Sequence, residues 1–348
     1  MMFRIAAGLM AGLVVVGLTA CGRSTSPSDS AAGPELVVYS SRIEQLIKPI
    51  FDDFTKETGI RIRYVTDDAG PLLARMRAEG DNSPADMLIT VDAGNLWQAA
   101  EIGVLAPVES AILAANVPPA LRDEQGRWFG VSIRARTIVY ASDRVKPEEL
   151  SSYEDLAGEQ WSGRLCLRTA KKVYNQSLVA SLIVALGEEK AEEVVAAWVD
   201  NLAVAPFSSD NKVIEAIDAG QCDVGLVNTY YLARMLAENP KLPIGLFWAN
   251  QEGEGVAGRG VHVNISGAGI TKASKHKAEA LRLLEWMSGP TAQYDFASLN
   301  QEYPVNDATA PSELIQHWGS FRADTMPMSE AGRLQSAAIK LMDRVGYR

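Results

Sequence analysis

Cys222-Asp223-Val224-Gly225-Leu226-Val227-Asn228-Thr229-Tyr230-Tyr231-Leu232-Ala233-Arg234-Met235-Leu236-Ala237-Glu238 reads as a buried strand running into a helix. Its first part is short, largely apolar and entered by a turn at Gly220, while the residues from Leu232 onward are helix formers. Two adjacent tyrosines inside a regular strand would point to opposite faces of a sheet. At a strand-to-helix corner the backbone turns, and the phenols of Tyr230 and Tyr231 can both aim into one cleft. Open α/β folds bind ligands beyond the carboxyl ends of their strands. A phenol pair at that place reads as a site for a hard cation.

Working outward, strands and helices alternate. Residues 36–40 form an apolar strand. Residues 44–58 carry Leu46, Ile47, Ile50, Phe51 and Phe54 at helical spacing despite Pro49, and Gly59 ends that helix. Residues 60–65 alternate as a second strand, Pro71 opens a helix to Ala78, 85–90 form a third strand, and 94–100 a helix. The pattern breaks near 128–133 and restarts at 137–140. A second set follows, with helices at 175–187 and 191–202, the tyrosine corner, and a strand at 261–270 interrupted by glycines. A helix at 275–287, a loop at 301–306 and one C-terminal helix at 328–345 complete the chain. This is the plan of an α/β, two-lobed (type II-like) periplasmic binding protein, with a ligand cleft between lobes joined by crossing strands. The expected first lobe is 35–133 with 263–310, and the second is 134–262 with 311–348.

A length of 348 residues suits about two domains. The net charge of −10 excludes a nucleic-acid surface, which needs a basic excess. Met1-Met2-Phe3-Arg4 and the apolar stretch from Ile5 to Gly17 read as an export signal. Leu18-Thr19-Ala20-Cys21-Gly22 resembles the lipobox of bacterial lipoproteins. Residues 1–21 are thus expected to be a signal peptide ending at a lipidated Cys21. Residues 22–34, rich in Ser, Pro, Ala and Gly, are expected to be a flexible tether. The protein is expected outside the cytoplasmic membrane, in the periplasm or at the cell exterior, anchored by lipid and monomeric. Cys166 and Cys222 remain, each in a strand-like run. Neighbouring strands can bring them within reach of a disulfide, which we expect; two separate buried thiols are the alternative.

Several separate motifs resemble the ferric-ion-binding proteins of bacterial periplasmic iron transporters, over a span from about Leu36 to the C-terminus. They are Val38-Tyr39-Ser40-Ser41-Arg42, Ser83-Pro84-Ala85-Asp86, Arg134-Ala135-Arg136-Thr137-Ile138-Val139-Tyr140, Tyr174-Asn175-Gln176-Ser177-Leu178, Asn228-Thr229-Tyr230-Tyr231 and Glu302-Tyr303-Pro304-Val305. The resemblance is to the tyrosine-rich branch, and it implies that Tyr174, Tyr230 and Tyr231 bind Fe3+. Where many members have a histidine ligand, this chain has Ile43, and where some have a glutamate it has Val91. Neither can hold a metal, so Glu44 and Asp92 are left as the first lobe's candidate carboxylates. Arg42 and Arg136 resemble positions that hold a synergistic anion, carbonate or bicarbonate, beside the metal. The resemblance also implies delivery of the ion to an ABC permease of the inner membrane.

The chemistry agrees. Fe3+ is hard and prefers oxygen donors. A phenol has a free pKa of about 10 and is protonated at neutral pH, but a bound cation stabilises the phenolate. Binding then releases protons and weakens in acid. Tyr39 and Tyr140 read as packing residues, Tyr303 lies near a hinge without a metal role, and His262, His276 and His317 are scattered. No His pair, HExxH or cysteine cluster suggests zinc. Residues 253–260 hold four glycines without phosphate-loop spacing and read as a loop near the cleft. Two other classes stay open. One is a binding protein for an oxyanion or organic cargo such as phosphonate, sulfate or a polyamine. The other is an iron-dependent enzyme, disfavoured because neither a nucleophile elbow nor a poised general base stands out.

Overall fold

The computed structural model describes residues 33–348. The expected export signal, Cys21 and all but the last two residues of the tether lie outside the described residues. β1 (Glu35–Ser40) is buried on both faces, as a strand covered by helices on each side must be. α1 (Glu44–Thr58) buries Ile47, Ile50, Phe51 and Phe54 and ends at Gly59, whose φ of 74° only glycine adopts without strain. β2 (Arg61–Thr66) alternates between exposed and half-buried positions, the mark of an edge strand. α2 (Ala69–Glu79), β3 (Met87–Val91), α3 (Ala93–Glu101) and the short α4 (Ala111–Asn116) follow.

β4 (Phe129–Ala141) is one strand of 13 residues, where the sequence suggested a break and a restart. A bulge lies between Gly130 and Ser132. Two charged residues, Arg134 and Arg136, interrupt the apolar run, but both are buried and paired rather than at a turn. At roughly 3.3 Å per residue β4 is about 40 Å long, enough to serve both halves of the molecule. After it come β5 (Leu165–Cys166), α5 (Val173–Leu186), α6 (Glu188–Asp200), α7 (Asp210–Asp218), β6 (Val224–Asn228) and α8 (Thr229–Glu238). β7 (Ile244–Phe247), β8 (Val263–Ile270), α9 (Lys277–Ser288), α10 (Pro290–Ser298) and α11 (Glu313–Gln316) complete the body. The C-terminal helix is two helices, α12 (Met328–Arg333) and α13 (Gln335–Arg344), divided at Leu334. Gly332 lets α12 sit directly on α3, since a Cβ there would lie 2.6 Å from that of Trp97. No helix among the described residues is long and apolar enough to cross a membrane.

The strands form one curled sheet in the order β2-β1-β3-β8-β4-β6-β5, with β7 paired to β4. β1, β2 and β3 run parallel to one another, and β5 runs parallel to β6. β4 pairs antiparallel with β8 through Phe129–Ala135 and with β6 through Arg136–Tyr140. β8 also pairs antiparallel with β3. β4 and β8 are therefore the crossing strands between the two halves of a two-lobed fold. The glycines of β8 do not interrupt it. A Cβ on Gly267 would meet the Leu96 side chain at 2.5 Å and the Phe129 carbonyl at 2.7 Å, so they allow α3 and β4 to approach. Cys166 of β5 and Cys222, just before β6, form a disulfide with Cα atoms 5.9 Å apart.

Candidate metal centre

Tyr174 is the second residue of α5, and Tyr230 and Tyr231 are the second and third of α8. Helical side chains lean toward the helix N-terminus, so these phenols project beside two N-terminal ends. Those ends carry partial positive charge, which favours a phenolate over a phenol. The rings of Tyr230 and Tyr231 lie 4.5 Å apart, centre to centre. The Tyr174 and Tyr230 phenols are close enough to perturb each other, and Asn228 donates to the Tyr230 oxygen at 3.0 Å. Burial raises the pKa of the Tyr230 phenol well above its ordinary value, and the charges of Tyr174 and Tyr231 add to the shift. Tyr174 is raised by burial and by Tyr231, against the lowering effect of Arg134 and Arg168. Arg168 bridges the Tyr174 ring and the Tyr231 oxygen, and the Tyr231 ring adjoins that of Tyr230, so the three phenols lie together.

Three arginines face the rings. Arg134 lies over Tyr174 at 5.4 Å and Arg168 over the same ring at 5.2 Å. Arg234 covers Tyr230 at 4.7 Å and Tyr231 at 5.7 Å. Arg168 also donates to the Tyr231 oxygen at 3.4 Å. Arg134 Nη1, Arg168 Nε and Arg234 Nε are buried without a hydrogen-bond partner in the protein. A small pocket beside Tyr174 is lined by Asp92, Arg134, Arg136, Asn228, His262 and Asn264.

The motif around Tyr174 is built to hold its ring in place. Asn175 accepts from Arg136 Nε at 2.9 Å and donates to the Arg168 carbonyl at 2.7 Å and the Tyr347 oxygen at 2.8 Å. Gln176 donates to the Ala170 carbonyl at 3.1 Å, and Ser177 donates to Asp92 at 2.7 Å. Each polar residue after the tyrosine therefore fixes the start of α5.

Four of the expected site residues are engaged within the protein. Arg136 has no donor left for an anion: Nε meets Asn175, Nη1 meets Asp210 and Asn228, and Nη2 meets Asp210 and the Leu226 carbonyl. Arg42 forms a buried ion pair with Glu302 at 3.0 Å, bonds Ser266 at 2.6 Å and lies over the Phe296 ring, outside the Tyr174 pocket. Glu44 is exposed on α1, where it accepts the Tyr64 hydroxyl at 2.9 Å, and is not brought to the tyrosines. Asp92 does line the pocket, but four donors occupy its carboxylate: Gly94 N–H and Ser177 on one oxygen, Arg134 and Asn264 on the other. A carboxylate offers about four lone-pair sites, so none is left for a metal.

Arg134, Arg168, Arg234 and His262 were not singled out from the sequence. For Arg134 a signal existed, because residues i and i+2 of a strand share a face and Arg134 accompanies Arg136 on β4. Arg168 and Arg234 carry none. His262 is held down at about 3 by burial and by Arg134, Arg136 and Arg259, so its imidazole is neutral at physiological pH. Tyr39 packs in the core with its hydroxyl on Glu79, and Tyr303 pairs with the backbone of Ile133 in β4. Val256 and Ala257 of the glycine-rich loop line a groove with Phe247 and Trp248, apart from the tyrosines. Among the described residues no group of three or more His, Cys, Asp or Glu side chains can hold a metal ion. The oxygen donors brought together here are phenols.

Comparison with known proteins bears on this geometry. Residues 50–323 match the family model described as bacterial extracellular solute-binding protein. The chain belongs to that family. Within the family it is 41% identical to iron uptake protein A1 of Synechocystis, with 96% of this chain and 95% of that protein covered. It is 28% identical to the Fe(3+)-binding periplasmic protein of Serratia marcescens over 91% of this chain and 92% of the relative. Among solved structures, FutA (IdiA) of Trichodesmium, in complex with iron and citrate ligands, is similar at a TM-score of 0.84 and 42% identity. That likeness covers 90% of this chain and all of the other.

Proposed function

We propose that this chain is an extracytoplasmic solute-binding protein that captures Fe3+ and delivers it to an ABC permease, with Tyr174, Tyr230 and Tyr231 as the metal ligands. The observation that carries this reading is the convergence of three phenols at two helix N-termini under three arginines. Phenolates are strong donors to a hard trivalent ion, and the helix ends and guanidinium groups lower the cost of forming them. The iron-related relatives, similar over nearly their whole length, support the same cargo. One of them is an iron uptake protein by name and another an Fe(3+)-binding protein, which weighs against an enzyme.

The charges call for an anion as well. Three phenolates cancel the ferric ion, and Asp92 and Asp210 offset two of the four arginines at positions 134, 136, 168 and 234. Two positive charges remain, which matches carbonate. With Arg42 and Arg136 engaged in internal pairs, Arg134 takes over the anion role, through its unpartnered Nη1 in the Tyr174 pocket. Cys21 as lipid anchor, the periplasmic setting and the 35–133/263–310 and 134–262/311–348 lobes belong to the same reading. An oxyanion as sole cargo has less support here, because every N–H of Arg136 is taken and Arg42 is held in a buried ion pair with Glu302.

The test is an absorption titration of metal-free protein with Fe3+, with and without bicarbonate, on wild type and Tyr231→Phe. Wild type should develop a visible tyrosinate-to-iron band, stronger with bicarbonate, and the variant should lose much of it. A wild type that stays colourless would overturn the proposal, and an unchanged band in the variant would remove Tyr231 from the metal.

A further inference from the structure

We infer that Asp92 is the positioning residue through which the first lobe shapes the metal site, fixing Tyr174 without touching the ion. This rests on the ferric reading above. Asp92 stands at the corner between β3 and α3, fully buried, with a φ of 82° that a non-glycine residue rarely adopts. Such a backbone persists only where its surroundings over-determine it. Here the Asp92 N–H donates to the Ile265 carbonyl at 2.8 Å, and Asn264 Oδ1 accepts the next N–H at 2.8 Å.

Capping α3 accounts for one of the four bonds to the carboxylate, that from Gly94 at 3.0 Å. The other three leave the helix. Asn264 of β8 donates at 2.9 Å, Arg134 of β4 at 3.2 Å and Ser177 of α5 at 2.7 Å. Ser177 lies three residues after Tyr174, so the two share a face of α5. Arg134 is one of the two cations over the Tyr174 ring. One carboxylate thus ties down both the helix that carries the phenol and a guanidinium that lies over its ring. The first lobe, whose Ile43 and Val91 cannot bind metal, contributes to the site by this indirect route.

Ser177→Ala removes the tether to α5 and leaves Asp92 and Arg134 in place. Ser181→Ala is the control: it deletes a buried hydroxyl of the same helix that bonds only the Leu178 carbonyl. The readouts are the visible band and the rate at which EDTA strips iron from the loaded protein. Loss of a hydrogen bond to a charged group should speed release about 10-fold and move the band in Ser177→Ala. Ser181→Ala should behave as wild type. Asp92→Asn, which also disturbs Arg134, should exceed Ser177→Ala; if it fails to fold, the serine pair still decides. Wild-type band and release in Ser177→Ala would overturn this inference alone, as would equal effects in the two serine variants. A wild type without the band would overturn the ferric reading and this inference together.

Discussion

Tyr230 carries a conflict between burial and the charge that its proposed role requires. Its phenol is buried beside two others, so in the metal-free protein it is held neutral and its pKa stands well above 10. The unfolded chain releases that proton near pH 10. Because the folded-state value is raised, the stabilising contribution is complete below pH 10 and is lost as pH rises toward the folded value. Metal-free protein should therefore lose stability steeply above pH 10 in urea unfolding. Tyr230→Phe, which has no proton to lose, should flatten that decline; an identical pH profile in the variant would show that Tyr230 is not the strained phenol. Iron binding has the opposite sign. It needs the phenolate, so affinity rises with pH and acid releases the ion. The strand-to-helix corner that carries the tyrosine pair was legible from the apolar run before it and the helix formers after it. The engagement of Arg136 was not, because its partner Asp210 lies 74 residues away and nothing local announces the pair.

Among the elements, the crossing strands β4 and β8 decide the geometry, and both were partly misread. β4 looked broken because buried, paired arginines resemble a polar turn when seen without their partners. β8 looked interrupted because glycine marks both turns and close approaches, and sequence does not separate the two. Gly267→Ala should separate them experimentally. The new Cβ would press on Leu96 and on the fixed Phe129 carbonyl, costing about 1–3 kcal/mol of overpacking. Urea unfolding should show that loss, whereas a stability equal to wild type would mean that α3 and β4 have room to yield. Helices α1, α5 and α8 were legible because apolar spacing, a closing glycine or the tyrosine motif marked them. The split at Leu334 was not, since residues 328–345 read as one continuous helix.

On the scale of the whole molecule, the fold sets two helix N-termini against a pair of strands that join two halves. Alternating strands and helices made that architecture readable, because a parallel sheet must be covered on both faces. The division of labour we propose between the lobes was harder to read: phenols come from the second and Asp92 from the first, its carboxylate bonded from α3, β4, β8 and α5. A crystal structure of the protein loaded with ferric salt and bicarbonate tests this account most directly. We predict one ion bonded to the phenol oxygens of Tyr174, Tyr230 and Tyr231, with carbonate against Arg134 and with Asp92 still holding Ser177. An ion bound elsewhere, or phenols that keep only their protein partners after loading, would contradict it.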